Sequence, residues 1–380
     1  MKAAIVIPLY KSWNNLTDTE QASLQRAIEI FPKYDIYFIM ADSFVMNYPI
    51  IYQSIPRRRF SNRYFRGTDG YSELLLNSNF YVAFLQYDYM LIYQLDAWAF
   101  SDRLAEFMDM GYDYIGAVCE DFPWIEAGIH VGNGGFSLRR VSSCRKVTLL
   151  KNIVFDRFPQ YREECCRIED FFFGLCYMIP ELRFKVADEN IARKFSMQYG
   201  VREITDELPF GCHAFDKFDT TEWYTLFHRL YGNKYAVESL KRKKYIDSAR
   251  LVRLSKQILY LEKNGLQDNK YLQHFIAGRE VSLWGYGDYG KRIYRILRRI
   301  GIPVEYIYDR RYNSHETDFF KYPAREKIRE DNNVIFITTM KDSEISAVLN
   351  HINKKEGRDF LRIDDLIRLL SSDFECGNFR

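Results

Sequence analysis

The stretch Ala3-Ala4-Ile5-Val6-Ile7-Pro8 decides the fold of this chain. A continuous apolar run that ends at a proline is typical of a strand buried on both faces of a parallel sheet. Residues 16–31 follow with a helical period, and residues 37–40 form a second apolar run that ends just before Asp42. Strand, helix and strand at this spacing predict an α/β fold, in which ligands bind at the carboxyl ends of the strands.

The next part of the chain repeats this alternation. Residues 71–85 have a helical pattern, and the apolar run Tyr89–Tyr93 predicts a third buried strand. This strand leads into Gln94-Leu95-Asp96-Ala97-Trp98. We therefore expect Asp96 at the edge of the sheet where ligands bind, although an aspartate there also suits a turn or a helix cap.

Shorter elements follow the third strand. Residues 102–110 predict a helix that ends at Gly111, a suitable left-handed cap, and residues 114–118 predict a further strand. Residues 235–264 contain no glycine or proline and are rich in lysine and arginine, which predicts a helical connector. Its basic side chains would form either a solvated face or a surface that docks on an anionic membrane.

The C-terminal part contains a glycine motif in a defined context. Gly285, Gly287 and Gly290 have the spacing G-x-G-x-x-G, directly after the apolar run 280–284 and before a helical pattern. Asp309 follows about twenty residues later, as in Rossmann-type dinucleotide sites. The region is short and shows no acid–base pair beside it, so a structural or docking role is the alternative to nucleotide binding, and NAD(P) is not expected as the cofactor.

Composition excludes several classes of protein. Of the 380 residues, 47% are hydrophobic and 28% charged, which indicates a globular chain. The net charge of +3, from 54 basic and 51 acidic residues, does not indicate a nucleic acid as the main partner. The seven cysteines form no C-x-x-C pair, and no apolar run approaches the length of a membrane span, so we expect a cytoplasmic protein, at most peripheral to the inner face of a membrane.

Three more segments contain candidate site residues. Residues 131–139 (Val-Gly-Asn-Gly-Gly-Phe-Ser-Leu-Arg) have three glycines in four positions, which suits either a close approach to a ligand or a sharp turn. Glu169 and Asp170 precede an apolar segment, and they are either the acidic first turn of a helix or a catalytic pair that takes a proton from an acceptor hydroxyl. His213, in Pro-Phe-Gly-Cys-His, is either a ligand or a core histidine.

Together these segments resemble a known family. Residues 1–232 are similar to the GT-A glycosyltransferase fold, and more narrowly to a bacterial group of glycosyltransferase-like domains of unknown function. The pattern of that group is Q-x-D-A-W, G-N-G-G-F-S-L-R, E-D and P-F-G-x-H. A more distant likeness is to β-1,3-galactosyl- and N-acetylglucosaminyltransferases, through residues 69–76 and Glu169–Gly174.

The resemblance implies a three-part chain and a role for each candidate residue. It implies a GT-A-like domain over 1–234, a helical basic connector over 235–275 and a Rossmann-like domain over 276–380. The residues implied for the nucleotide-sugar site are Pro8, Tyr10, Asp42, Asp69, Tyr71 and Asp96, and those implied for the acceptor side are Trp98, Gly134 and Gly135. The resemblance implies that Asp170, beside Glu169, is the catalytic base. It also implies that Asp96 and His213 hold Mn²⁺ or Mg²⁺.

One departure from the family pattern concerns the metal. The usual D-x-D is Gln94-Leu95-Asp96 here, and one carboxylate with one histidine holds a hard cation weakly. Several arginines are near the nucleotide elements in sequence, namely Arg57 to Arg59, Arg63 and Arg66. They either offer compensating charge for a diphosphate or form a solvated basic loop.

The favoured hypothesis is a glycosyltransferase of hexosyl or N-acetylhexosaminyl type in surface polysaccharide synthesis. It would move a sugar from a nucleotide-diphosphate donor to a hydroxyl of a glycan or lipid-linked acceptor, with inversion of the configuration at the anomeric carbon. The alternatives are an NAD(P)-dependent oxidoreductase or epimerase that uses the C-terminal domain, and a non-catalytic sugar-nucleotide-binding scaffold.

Overall fold

The computed structural model describes residues 1–201, 207–242, 246–264, 269–309 and 333–371. Contacts divide the chain between Ala249 and Arg250 into two compact units, and each is described by itself. This division falls inside the segment that the sequence predicts to be a connector.

The N-terminal unit alternates strands and helices. Its strands are β1 (Ala3–Pro8), β2 (Asp35–Ala41), β3 (Arg57–Phe60), β4 (Tyr89–Tyr93), β5 (Ala97–Ala99), β6 (Tyr114–Ile115), β7 (Ala117–Val118), β8 (Val131–Gly132), β9 (Phe136–Arg140), β10 (Ser196–Met197) and β11 (Gly211–His213). Its helices are α1 (Asp18–Ile30), α2 (Gly67–Leu75), α3 (Ser78–Val82), α4 (Leu104–Asp109), α5 (Trp124–Ala127), α6 (Val141–Leu149), α7 (Lys151–Arg157), α8 (Arg162–Arg167), α9 (Glu169–Tyr177), α10 (Glu189–Phe195) and α11 (Thr220–Tyr231).

Two sheets organise this unit. The main sheet has the order β3-β2-β1-β4-β9-β6, in which β1 to β4 run parallel and β9 runs antiparallel to β4 and β6. The smaller sheet has the order β5-β11-β10-β7-β8. The predicted α/β class is confirmed, and the mostly parallel main sheet is of the kind that the resemblance to the GT-A fold implies.

The first strand shows why its sequence is apolar throughout. Alternate residues of β1 face opposite sides of the sheet, so Ala4 and Val6 join one hydrophobic core while Ile5 and Ile7 join the other. None of these four side chains is exposed. The prediction of a strand buried on both faces is therefore confirmed.

Two predicted elements are divided in the structure. The predicted strand 114–118 becomes β6 and β7, which belong to different sheets, because the chain changes sheet at Gly116. A Cβ at Gly116 would lie 1.7 Å from the carbonyl oxygen of Gly132, so the two backbones touch there. The predicted helix 71–85 becomes α2 and α3, and Asn77 caps the second helix by accepting a hydrogen bond from the backbone N–H of Asn79.

Trp98 is a core residue, which corrects its predicted place on the acceptor side. Its side chain has no exposed surface. The indole packs on the rings of Phe227 and Tyr235, with centroids 4.7 Å and 4.8 Å away, and its Nε1 donates to the hydroxyl of Tyr231 at 3.2 Å. An acceptor cannot reach a residue that is enclosed in this way.

The C-terminal unit contains four strands, which are β12 (Glu280–Trp284), β13 (Tyr306–Tyr308), β14 (Asn333–Ile337) and β15 (Phe360–Arg362), within the described residues. They form a parallel sheet with the order β13-β12-β14-β15. The helices are α12 (Ser248–Asn264), which begins just before the unit boundary, α13 (Lys270–Ile276), α14 (Asp288–Arg299), α15 (Asp342–His351) and α16 (Ile363–Leu370).

The predicted connector is partly a packed element. Residues 235–264 are not one helix, since a short 3₁₀ helix at 238–241 precedes α12 and residues 243–245 lie outside the described residues. Arg250 on α12 pairs with Asp342 and Asp364, and Arg292 on α14 pairs with Glu262. These pairs hold α12 to the C-terminal unit, so its charges are not all directed to solvent.

We expect Trp98→Ala to lower the free energy of unfolding of the N-terminal unit by about 3–5 kcal/mol, because it removes a large buried side chain and leaves a cavity. Urea denaturation followed by circular dichroism measures this loss. Tyr177→Ala, at an exposed position, is the matched control and should change stability by less than about 0.5 kcal/mol. An equally small loss for Trp98→Ala would contradict its place in the core.

Candidate functional site

Strands β4 and β9 meet at one edge of the main sheet. Tyr93 at the end of β4 pairs with Phe136 at the start of β9. Just beyond this pair, the backbone N–H of Gln94 donates to the carbonyl oxygen of Gly135 at 2.8 Å. The segment that contains Asp96 therefore leaves β4 directly beside the glycine turn.

The glycine turn, residues 132–135, is closely packed at its glycine positions. Asn133 has a φ of 76°, a left-handed conformation that asparagine tolerates. A Cβ added at Gly134 would lie 2.1 Å from Glu169 Oε1, and one added at Gly135 would lie 2.1 Å from His213 Nε2. Glycine is required at both positions because the backbone lies directly against these two side chains.

Arg139 is a fully buried charge that joins this turn to α9. Its guanidinium pairs with Glu169 Oε1 at 2.7 Å and donates to the carbonyl oxygen of Gly134 at 3.3 Å. Further hydrogen bonds go to Ser137 Oγ at 3.0 Å and to the hydroxyl of Tyr81 at 3.3 Å. Because Arg139 neutralises Glu169, that carboxylate is a buried counter-ion in this structure.

Asp170 stands in the first turn of α9 and also contacts the glycine turn. Its Oδ2 accepts hydrogen bonds from the backbone N–H groups of Asn133 and Gly134, the latter at 3.0 Å. Burial and the adjacent charge of Glu169 raise the pKa of Asp170 to about 7. A carboxyl group that exchanges its proton near neutral pH suits a general base, and the same carboxylate also clamps the turn.

Asp96 lies in the turn between β4 and β5, and both of its carboxylate oxygens have partners. His213 Nε2 lies 3.2 Å from Oδ1, and Lys217 Nζ lies 2.6 Å from Oδ2. His213 is carried by β11, which pairs with β5 and so brings the imidazole beside Asp96. The imidazole also contacts Gln94 Oε1 at 3.3 Å and Gln198 Oε1 at 3.1 Å.

The two partners determine the protonation state of Asp96. Burial acts to raise the pKa of Asp96, but the contacts with His213 and Lys217 outweigh it and hold this pKa well below its usual range. The Lys217 side chain is partly exposed, and the partial loss of solvent around its ammonium acts to lower the pKa; the charge of Asp96 outweighs that effect and raises the pKa of Lys217. Asp96 and Lys217 are therefore both charged at neutral pH.

These side chains do not fit the predicted divalent cation. The structure does bring Asp96 and His213 together, but they contact each other, and the ammonium of Lys217 takes the second carboxylate oxygen. Mn²⁺ and Mg²⁺ prefer about six ligands that are mainly oxygen atoms. Within the described ranges, no group of three His, Cys, Asp or Glu side chains is arranged to hold a metal.

The site cluster consists of the glycine turn and the side chains around it, namely Asp96, Arg139, Glu169, Asp170, His213 and Lys217. Three of the residues predicted on the nucleotide side lie near this cluster. Pro8 ends β1 in the main sheet beside β4. Tyr10 is near Asp96, since burial and then the charge of Asp96 raise the pKa of the Tyr10 phenol. Tyr71 on α2 is near Glu169, since burial and then that charge raise the pKa of its phenol.

Asp42 and Asp69 are the other two residues predicted on the nucleotide side. Both are exposed, and neither makes a hydrogen bond or ion pair from its carboxylate to a cluster residue among those that the structure describes. The arginines of β3 are also engaged elsewhere: Arg59 donates to backbone carbonyls that include Asp42, and Arg57 donates to Gln53. Their predicted role as compensating charge for a diphosphate stays a prediction.

Two residues of the cluster were not predicted as site residues. Arg139 is part of the quoted G-N-G-G-F-S-L-R segment, and a charge inside an apolar strand pattern is the signal that indicates it. Lys217 gave no such signal, because its position depends on the turn after β11, where Ala214 has a φ of 57°. A local pattern does not predict that the chain turns back there.

The glycine motif of the C-terminal unit has the predicted local geometry. Gly285, after β12, has a φ of 105°, and a Cβ at Gly290 would lie 2.1 Å from the carbonyl oxygen of Gly285. Gly287 precedes α14, and the carboxylate of Asp309 accepts a hydrogen bond from the backbone N–H of Tyr286. Asp309 thus closes the glycine loop, and dinucleotide binding stays a prediction.

Comparisons with known proteins give a match to one family model over part of the chain and a remote likeness to solved structures. A family model described as a protein of unknown function (DUF5672) matches residues 54–213, which contain Asp96, the glycine turn, Asp170 and His213. The search of curated proteins gave no match.

The solved structures that resemble this chain include glycosyltransferases. The galactosyltransferase LgtC, in complex with donor and acceptor sugar analogs, is 15% identical, with a TM-score of 0.38 over 63% of this chain and 100% of that one. GlyE from Streptococcus pneumoniae is 10% identical over 96% of both chains, with a TM-score of 0.35, and mouse xyloside xylosyltransferase 1 is 11% identical over 56% and 96%, with a TM-score of 0.36. At these values the likeness carries no argument about activity.

No helix in the described part of the chain is both long and apolar enough to cross a membrane.

We expect Arg139→Met and Glu169→Gln each to cost about 3–5 kcal/mol of stability, because each leaves the partner charge buried and unpaired. The double variant should cost clearly less than the sum, since it removes both charges. Urea denaturation of the four proteins of this cycle gives the coupling energy. Additive losses would show that the two charges do not depend on each other.

Proposed function

We propose that the N-terminal unit is a glycosyltransferase that moves a sugar from a nucleotide-diphosphate donor to a hydroxyl group of an acceptor. The observation that carries the proposal is the convergence of Asp96, Gly134–Gly135, Asp170 and His213, which come from four separate segments, at one edge of the main sheet. A turn, a helix cap or a core histidine would each explain one of these residues, but not their meeting at the ligand-binding edge of the strands.

In the proposed reaction Asp170 is the base. Its carboxylate takes the proton of the acceptor hydroxyl, the hydroxyl oxygen bonds to the anomeric carbon, and the bond to the diphosphate oxygen breaks on the opposite face, which inverts the configuration. The hydrogen bonds from Asn133 and Gly134 to Oδ2 orient the carboxyl group. Glu169 supports this role through its charge, which raises the pKa of Asp170 together with burial.

The two sides of the site follow from the positions of its residues. Tyr10, after the end of β1, is proposed to contact the donor, with Tyr71 nearby, and Asp96, after the end of β4, is proposed to lie on the same side of the site. The backbone of Gly134–Gly135, which lies directly against Glu169 and His213, is proposed to form the acceptor side. The donor sugar is proposed to be a hexose or N-acetylhexosamine, and the acceptor a glycan or lipid-linked glycan of a surface polysaccharide.

The proposed setting is the cytoplasm, with peripheral contact at the inner face of the membrane through basic residues between Lys241 and Lys256. The cysteine pattern and the basic composition of this segment support that proposal. The C-terminal unit is proposed to have a structural or docking role.

Asp170→Asn should abolish sugar transfer while leaving nucleotide affinity and thermal stability close to those of the wild type. The amide oxygen of asparagine can still accept the two backbone hydrogen bonds, but the side chain can no longer take a proton at neutral pH. Nucleotide release with UDP-, GDP- and CMP-sugars measures transfer, and calorimetry measures binding. Asp156→Asn, an exposed aspartate on α7, is the matched control.

A rate near that of the wild type for Asp170→Asn would remove Asp170 as the base. If only NAD(P)H, and no nucleotide sugar, raised the melting temperature of the chain, the oxidoreductase hypothesis would replace this one. Binding of a nucleotide sugar without any turnover across a broad set of acceptors would instead favour the scaffold.

The pH profile gives an independent check. Since burial and Glu169 raise the pKa of Asp170 to about 7, the group is protonated below that pH and cannot act as a base. The value of kcat/KM should therefore fall about tenfold per pH unit below about pH 7 and be level just above it. A profile that is level down to about pH 5 would contradict the assignment.

A further inference from the structure

The Asp96 carboxylate offers no open position to a divalent cation in this structure. Its Oδ1 faces the imidazole of His213 at 3.2 Å, and its Oδ2 faces the ammonium of Lys217 at 2.6 Å. Only 15% of the Asp96 side chain is exposed, whereas 55% of the Lys217 side chain is exposed. The pair therefore presents the cation, and not the carboxylate, to a ligand.

The backbone fixes the position of Lys217. The chain leaves β11 after His213 and turns at Ala214, and the N–H of Lys217 donates to the carbonyl oxygen of Ala214 at 2.9 Å. The carbonyl oxygen of Lys217 in turn accepts from the N–H of Ile246 at 3.1 Å. Both polar groups of the Lys217 backbone are thus bonded, and the side chain extends from a fixed point toward Asp96.

The chemistry of the two side chains suits a diphosphate. An ammonium group has three N–H donors. The Asp96 carboxylate accepts a hydrogen bond from one of them, and the others can donate to oxygen atoms of a ligand. Charge-assisted hydrogen bonds from lysine are a common means of binding phosphate oxygens. Asp96 alone would repel a diphosphate, whereas the paired ammonium attracts it.

We propose that Lys217 binds the diphosphate of the donor and supplies there the positive charge that a divalent cation would otherwise supply. Asp96 and His213 position the ammonium. The inference rests on the proposed function, because it names the group that holds the donor at that same site. It follows that donor binding does not require Mn²⁺ or Mg²⁺.

The test uses nucleoside diphosphates as probes and the full chain. UDP, GDP and CDP are titrated by calorimetry, with EDTA and again with Mn²⁺, and the one that binds most tightly is kept. Its Kd should agree within about twofold between the two conditions. Lys217→Met should weaken the binding of this nucleoside diphosphate at least about tenfold, both with EDTA and with Mn²⁺, because that is the loss expected for a hydrogen bond from a charged donor. Lys217→Arg should retain most of the affinity.

Two controls separate charge from structural damage. Lys234→Met removes another exposed lysine, which pairs with Glu29, and should leave the affinity unchanged. The parent nucleoside lacks the diphosphate, so its affinity should be the same for Lys217→Met and the wild type. Equal weakening of nucleoside and diphosphate would identify a folding defect and overturn the inference.

The remaining outcomes are distinct. Binding that EDTA abolishes and Mn²⁺ restores, with Lys217→Met unaffected, would overturn the inference while the proposed function stands. Nucleoside diphosphate binding that is independent of metal but is not weakened by Lys217→Met would also overturn the inference and leave the proposed function standing. If no nucleoside diphosphate binds in either condition, the proposed function falls as well.

Discussion

The buried ion pair between Arg139 and Glu169 is the interaction on which the rest of the candidate site depends. It places a charge from β9 against a charge from α9 in a region without solvent, where neither is tolerated alone. The same guanidinium holds the carbonyl oxygen of Gly134. One side chain thus fixes the distance between the central sheet, the glycine turn and the helix that carries Asp170.

This constraint explains why small residues and acidic residues occur together here. With α9 held close to the sheet, Glu169 touches the backbone at Gly134, and no side chain fits between them. The adjacent Asp170 is enclosed with Glu169, so burial and the neighbouring charge raise its pKa toward neutrality. The protonation behaviour proposed for the base is therefore a consequence of packing and of a second carboxylate, and Arg139 prevents that second carboxylate from being unpaired.

The opposite side of the turn has a different electrostatic character. Asp96 lies between the imidazole of His213 and the ammonium of Lys217, which is exposed, and Gly135 lies against the imidazole of His213. A nearly neutral glycine turn thus separates a buried acidic pair from an exposed ammonium group. In the proposed reaction this separation keeps the base out of an ion pair with the ammonium that is proposed to hold the diphosphate.

The sequence by itself determined the α/β class, the strand at 3–8 and the position of Asp96 just after β4, because these follow from apolar periodicity. It also determined the local conformation of both glycine segments, because that follows from the conformational freedom of glycine. It did not determine that Trp98 is enclosed, that residues 114–118 cross between sheets, or that Lys217 occupies the second oxygen of Asp96. The enclosure of Trp98 and the position of Lys217 depend on contacts between residues that are more than a hundred positions apart, such as Asp96 with Lys217 and Trp98 with Phe227. The crossing between sheets depends on the close approach of Gly116 to Gly132 in another strand segment. Only the tertiary structure brings such residues together, since no local pattern records which partner a side chain will meet.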